Sequence, residues 1–306
     1  MRVFIAGATG FIGSATVKAL LARGDEVVVL SRSLQKIEAR FGSRVKGVEG
    51  DPLQPGSWQA GVDGCDAVIN LVGEPIADQG WSEKQRAIIR DSRILSTRQL
   101  VTACERAHKR PTVWVQGTAV GIYGDRGDEK LSEEATLPHP PNFVGQLCQD
   151  WEAEARRAEG LGLRLVLLRT GVVLDPREGA LAKLLIPFKL FAGGPLGDGA
   201  QYFPWIHRDD LVGLLLFALD QGQVRGVLNG SAPGDCTMYT GCQALGKVLS
   251  RPSWLPVPRF ALKMMLGDRV QVVLASQRVL PTRAQALGFQ FRYPEIEGAL
   301  RALLSA

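Results

Sequence analysis

Several features that would narrow the function at a glance are missing from this chain of 306 residues. The five cysteines (Cys65, Cys104, Cys148, Cys236, Cys242) make no Cys-x-x-Cys pair, and neither they nor the three histidines fall at metal-ligand spacing, so no metal is predicted. An odd number of scattered thiols argues for reduced cysteines rather than a disulfide framework. No apolar run approaches the roughly 20 residues needed to cross a bilayer, which excludes a spanning helix. A strand pattern sits at the N-terminus, leaving no cleavable targeting segment ahead of it, and with reduced thiols this predicts a cytoplasmic protein. The formal net charge of +5 is small, and lysine and arginine are scattered, so there is no electrostatic footprint for nucleic acid. Internal repeats and low-complexity segments are absent as well.

What is present is a rhythm. Apolar runs at Val3–Ala6, Val27–Leu30, Val45–Val48, Ala67–Leu71, Val113–Val115 and Leu163–Leu168 alternate with helical patterns at Phe11–Arg23, Leu34–Phe41, Glu83–Ala107 and Phe143–Glu159. Continuous short apolar runs suit strands buried on both faces, and the alternation predicts βαβ crossovers in a doubly wound parallel sheet. After Arg169 the rhythm breaks into a glycine- and proline-rich loop (Ala192 to Pro204), the segment His207-Arg208-Asp209-Asp210 with a helix, and short interrupted helices from about Ser231. The reading is an α/β protein with a small C-terminal α+β subdomain. Residues 1–174 and about 205–230 form the sheet domain; 175–204 and 231–306 form the smaller unit.

The first crossover carries the chemistry. Gly7-Ala8-Thr9-Gly10-Phe11-Ile12-Gly13 stands between an apolar strand and an amphipathic helix. A helix N-terminus presents unpaired N–H groups and a positive dipole end, suited to a pyrophosphate. Gly7 allows the tight turn, Gly10 leaves room for phosphate, and Gly13 lets the helix lie close to the sheet, as in a Rossmann dinucleotide site. In such folds an acid at the end of the second strand bonds the ribose 2′-hydroxyl of NAD, and a basic residue takes the 2′-phosphate of NADP. Here that strand ends at Ser31-Arg32 with no acid, which predicts NADP(H).

The Gly-x-x-Gly-x-x-Gly spacing, Gly50-Asp51 and Asn70-Leu71-Val72-Gly73-Glu74 resemble the extended short-chain dehydrogenase/reductases. Trp81-Ser82-Glu83-Lys84, Arg90-Asp91-Ser92-Arg93, Ala119-Val120-Gly121-Ile122-Tyr123-Gly124, Asp150-Trp151-Glu152 and Phe203-Pro204-Trp205-Ile206-His207 resemble one branch of them, the epimerase family proteins with a short characteristic C-terminal domain. The resemblance spans essentially the whole chain. It implies that Gly7 to Gly13 wrap a pyrophosphate, that Ser31 and Arg32 meet the 2′-phosphate, and that Asp51 and Leu53 lie near the adenine. It further implies that Leu71, Val72 and Gly73 line the adenosine and ribose, with Glu74 on the same loop, that Arg93 contacts the cofactor, and that Val172 approaches the nicotinamide.

Catalysis in this superfamily uses a Ser/Thr with a Tyr-x-x-x-Lys pair, the tyrosine as acid–base and the lysine lowering its pKa. Thr118 stands at the hydroxyl position, but Phe143 and Leu147 occupy the tyrosine and lysine positions. None of the four tyrosines (Tyr123, Tyr202, Tyr239, Tyr293) has a lysine four residues later. Tyr123 is the nearest replacement proton donor, against a packing role; Glu74 is a possible proton shuttle, against a solvated acid. Cys148 reads as an inert thiol and His207 as a turn-forming residue. Trp81, Phe203 and Trp205 read as either cleft lining or core. Three functions follow: an NADP(H)-dependent oxidoreductase of unknown substrate, an NADP(H)-binding regulatory protein such as a cell- or plastid-division factor, or a nucleotide-sugar epimerase.

Overall fold

The computed structural model describes residues 1–305. In chain order the first elements are β1 (Arg2–Ala6), α1 (Phe11–Ala22), β2 (Glu26–Ser31), α2 (Leu34–Phe41), β3 (Lys46–Glu49), β4 (Ala67–Asn70), α3 (Glu83–Arg106) and β5 (Val113–Ala119). There follow β6 (Lys130–Leu131), α4 (Phe143–Arg156), β7 (Arg164–Thr170), β8 (Val172–Leu174), α5 (Gly179–Lys189), β9 (Trp205–His207), α6 (Arg208–Asp220) and β10 (Gly226–Gly230). The last are α7 (Met238–Leu249), α8 (Arg259–Leu266), α9 (Val270–Leu274), β11 (Arg278–Val279), α10 (Thr282–Ala286) and α11 (Ile296–Leu304).

Seven strands form one parallel sheet in the order β10-β7-β5-β4-β1-β2-β3. Side chains of a strand alternate between faces, and both faces here are covered. Val3 and Ile5 of β1 pack with Val17 and Leu20 of α1 and Leu211, Leu214 and Leu215 of α6. Phe4 and Ala6 face the other way, toward Trp58, Leu100 and Cys104 of α3, and Trp114. Each such large side chain, fully buried, contributes about 1.5–3 kcal/mol. A third core of Leu174, Leu185, Phe188, Trp205, Leu245 and Leu300 forms around α5, α7 and α11.

The topology places the site. From β1 the chain winds outward through β2 and β3, then returns to lay β4 against the opposite edge of β1. In register, Ala6 aligns with Leu30 on one side and Asn70 on the other. A crevice therefore opens beyond Ala6, between the loops leaving β1 and β4, where ligands bind in open α/β sheets.

The strands depart from the sequence reading in two places. The run at 113–115 continues through Ala119, which puts Thr118 inside a strand opposite Arg169. The edge strand β10, with only two aliphatic residues in Gly-Val-Leu-Asn-Gly, has no apolar run to reveal it. Outside the main sheet, β8 and β9 form a parallel ribbon that pairs Val172 with Trp205 and Leu174 with His207.

Candidate functional site

The glycine turn sorts its three glycines by cause. Gly7 has φ +82°, and a Cβ there would stand 2.6 Å from the Leu71 carbonyl carbon. At Gly13 a Cβ would lie 2.2 Å from the Gly7 carbonyl oxygen, so α1 can begin where it does only with glycine. Gly10 differs: it is exposed, its N–H donates to the Gly7 carbonyl at 3.1 Å, and an added Cβ would meet nothing closer than that oxygen at 3.3 Å. The protein's own packing therefore presses on Gly10 far less than on Gly7 or Gly13. An exposed glycine on such a turn leaves room for a ligand to approach the backbone. No side chain caps α1 and no acid sits in its first turn, so the chain offers no anion of its own to that N-terminus. Ala8 is buried, and Thr9, Phe11 and Ile12 are half-buried around the turn.

At the end of β2, Ser31 is half-buried and its hydroxyl accepts from the Ser33 N–H at 3.3 Å. Arg32 is exposed and makes no hydrogen bond or ion pair among the described residues. The acid aligned with Ser31 on the next strand, Glu49, accepts from the Leu34 N–H at the start of α2. Beyond β3, Asp51 accepts from the Leu53 N–H at 3.0 Å, and Gly50 is pressed against Trp58. Asp51 and Leu53 thus form a self-bonded turn just beyond β3.

The opposite wall is the loop leaving β4. Asn70, fully buried, bonds Thr97 and Gln116 through its amide and accepts from the Val72 N–H at 3.2 Å. Leu71 and Val72 are half-buried, Gly73 is exposed, and the Glu74 N–H is held by the Ser92 hydroxyl at 3.0 Å. The Arg93 guanidinium lies against Gly73, where a Cβ would be 3.1 Å from its central carbon. Arg93 stacks over Trp151 at 5.1 Å and donates to the Ile89 carbonyl, but it has no carboxylate partner among the described residues. Burial holds its pKa below the ordinary arginine value, while Cys148 and Glu74 pull the other way. A desolvated, unpaired cation beside this loop suits an anionic ligand.

Where a tyrosine–lysine pair would stand, the surface is apolar. Phe143 opens α4, packs edge-on against Trp81 at 5.1 Å, and shares the Arg86 guanidinium with it. Leu147 is buried in the same cluster with Ile89, Val120 and Cys148. Burial pushes the Cys148 thiol up to about 12 despite Arg93 nearby, which leaves it a protonated packing group.

Thr118 belongs to a buried polar network. Its hydroxyl donates to Glu152 at 3.2 Å, and Glu152 receives two bonds from Arg169, each 2.8 Å. Arg169 also donates to the Tyr123 hydroxyl at 2.9 Å, which in turn donates to Asn229 at 2.8 Å. Glu152 and Arg169 are both 4% exposed, and Tyr123 is fully buried. Burial raises the phenol pKa, only partly countered by Arg169 and Asn229. Glu152 and Arg169 were not singled out as site residues from sequence. The available signal was an arginine closing the apolar run at 163–168, and a buried helical stripe at Cys148, Trp151, Glu152 and Ala155.

Val172, half-buried, opens the β8–β9 ribbon, where its N–H donates to the Pro204 carbonyl at 2.7 Å. His207 is buried, caps α6 by accepting from the Asp209 N–H at 3.0 Å, and stacks on Tyr293 at 3.8 Å. Burial lowers its pKa against the pull of Asp209 and Asp210. Trp205 is core, its indole bonded to the Gly234 carbonyl; Phe203 packs on the same cluster, and Trp81 bonds the Ile76 carbonyl. No cluster of three metal-binding side chains occurs among the described residues, and no helix there is long and apolar enough to cross a membrane.

Residues 3–229 match the NAD dependent epimerase/dehydratase family, and residues 257–303 match a domain of unknown function, DUF1731. The chain is 44% identical to the Arabidopsis thaliana epimerase family protein SDR39U1 homolog, chloroplastic, covering 99% of this chain and 87% of that one. It is 36% identical to the Homo sapiens epimerase family protein SDR39U1 over the full length of both. A crystal structure of the human protein with NADPH superposes with a TM-score of 0.90, at 36% identity, covering 100% of this chain and 99% of that one. UDP-glucuronic acid 4-epimerase from Bacillus cereus, at 20% identity and a TM-score of 0.79, shares the fold.

Proposed function

Because the chain belongs to the NAD dependent epimerase/dehydratase family, we propose that it is an NADP(H)-binding, oxidoreductase-like protein that works without a tyrosine–lysine pair. One observation carries the cofactor choice: β2 ends in Ser31 and is followed by Arg32, which is exposed and has no partner among the described residues, beside a glycine turn with the exposed Gly10. The human relative, crystallised with NADPH, supports it. Residues 7–13 hold the pyrophosphate, Ser31 and Arg32 the 2′-phosphate, Asp51 and Leu53 the adenine side. Leu71, Val72, Gly73 and Arg93 line the ribose side, and Val172 the nicotinamide. When bound, NADPH supplies hydride.

The remaining groups shape what can be done with it. Trp81, Phe143 and Leu147 keep water from the reacting end. The Thr118 hydroxyl already donates its hydrogen bond to Glu152, so only its oxygen lone pairs are left to accept a donor from a ligand. Tyr123 keeps the network rigid rather than exchanging protons. Glu74 is the half-buried carboxylate left on the cofactor-facing loop. Sugar-nucleotide epimerisation is left without an evident acid–base, which ranks it last.

The test is cofactor selectivity. Arg32→Glu should weaken NADPH by about 10- to 100-fold, the worth of one charge-assisted phosphate contact, with NADH little changed. Equal loss of both would remove Arg32 from the 2′-phosphate. A second reading, regulation through NADP(H) binding without turnover, is favoured by the same apolar replacements at 143 and 147. Purified protein with NADPH and a panel of carbonyl and quinone acceptors separates the two readings. Consumption that exceeds the Thr118→Ala variant supports an enzyme; binding with no consumption supports the regulator.

A further inference from the structure

A second cavity, of about 440 Å³, lies between the flanks of α1 and α6, and none of the cofactor residues assigned above except Phe11 borders it. Phe11, Val212 and Leu216 provide its apolar wall, and five cations against three acids provide the rest. Pairing within it is uneven. Asp175 is ion-paired with both Arg208 and Arg177, and Asp209 with Arg208 at 3.0 Å, which occupies two of the acids. Lys18, Arg40 and Arg292 border the same space with no acidic partner among the described residues, while Glu178 is the one unpaired acid.

The fold takes trouble to hold these cations there. Arg40 is tied to the α1 flank by a 3.0 Å bond to the Ser14 hydroxyl. Arg292 is delivered from the segment before α11, whose backbone is pinned to α6: the N–H groups of Arg292 and Tyr293 donate to Asp210 at 2.9 and 3.0 Å. Two successive helices near the N-terminus and a segment near the C-terminus thus converge unpaired positive charge on one concave, partly apolar space. That arrangement is repulsive when empty and suits a compact oxyanion. We propose that this cavity is a second anion-binding site, separate from the cofactor crevice, for a small ligand carrying two or more negative charges on phosphate or carboxylate groups.

Calorimetric titration of the full-length protein with sodium pyrophosphate and with citrate, at low ionic strength and in saturating NADPH, tests this. Saturable binding of at least one is expected. Arg292→Glu and Lys18→Glu, both at exposed positions, should each weaken it by about tenfold, one charge-assisted contact, while NADPH affinity stays within about twofold. Tighter pyrophosphate than citrate assigns a phosphate ligand, and the reverse a carboxylate. Absence of saturable binding overturns the proposal. So does binding that NADPH abolishes, or that Arg32→Glu weakens and Arg292→Glu does not, because the anion then occupies the cofactor crevice.

Discussion

At the scale of single residues, the Glu152–Arg169 pair is where the protein is most exposed to damage. Removing one member of a buried, bidentate pair leaves the other charge without water or partner. Glu152→Ala should lower unfolding free energy by about 3–5 kcal/mol, measured by denaturant titration. The double replacement Glu152→Leu with Arg169→Met should recover most of that loss, because it leaves no unpaired charge. His207 carries a pH signature. Its pKa in the fold lies below that of a free histidine, about 6.5, so the folded protein prefers it neutral. The stability it contributes is complete above that value and is lost as pH falls through the depressed one. Unfolding midpoints at pH 7.5 and pH 5 should therefore differ more in the parent than in His207→Asn, which keeps a capping acceptor. An equal difference would show that the drop comes from other groups. The network around Thr118 was largely hidden from sequence for a physical reason. Thr118 and Tyr123 were visible by position, but the partners that occupy their hydroxyls, Glu152, Arg169 and Asn229, come from α4, β7 and β10. Only folding brings those elements together.

At the scale of elements, the β1–α1 turn makes a prediction that separates folding from binding. Gly13→Ala drives a methyl into the Gly7 carbonyl and should destabilise the protein by about 1–3 kcal/mol. Gly10→Ala places its methyl 3.3 Å from the same Gly7 oxygen, a milder contact than at Gly13; it should cost less, about 0.5–1 kcal/mol, yet lose NADPH affinity by about tenfold. Should Gly10→Ala bind NADPH normally, the phosphates do not lie where the turn implies. This element was fully legible in the sequence, because local spacing alone determines a strand–turn–helix. The strands β1, β2, β4 and β7 were legible too, as short apolar runs buried on both faces. β10 was not, because an edge strand with two aliphatic residues carries little periodic signal. Helix α5 was not singled out either: its residues fall in the stretch 175–204 assigned to the smaller unit, after the alternation breaks.

At the scale of the whole molecule, the five thiols are free and buried in three separate cores, and burial raises their pKa values to between about 11 and about 12. The native protein at neutral pH should react with a thiol reagent far more slowly than an exposed cysteine, and release all five equivalents in denaturant. Rapid labelling of one thiol in the native state would mean that its core opens readily. The long reach of the Thr118 network has a consequence for how the molecule is made. Both walls of the glycine crevice, β1 and β4 with its loop, are complete once Gly73 has been synthesised. The strand that closes the hydroxyl network through Asn229 comes last in the sheet, and Asn229 also bonds the Leu131 and Leu280 carbonyls. Order of synthesis therefore separates the two halves of the site: a growing chain completes the walls of its nucleotide cradle long before Thr118 has its final surroundings.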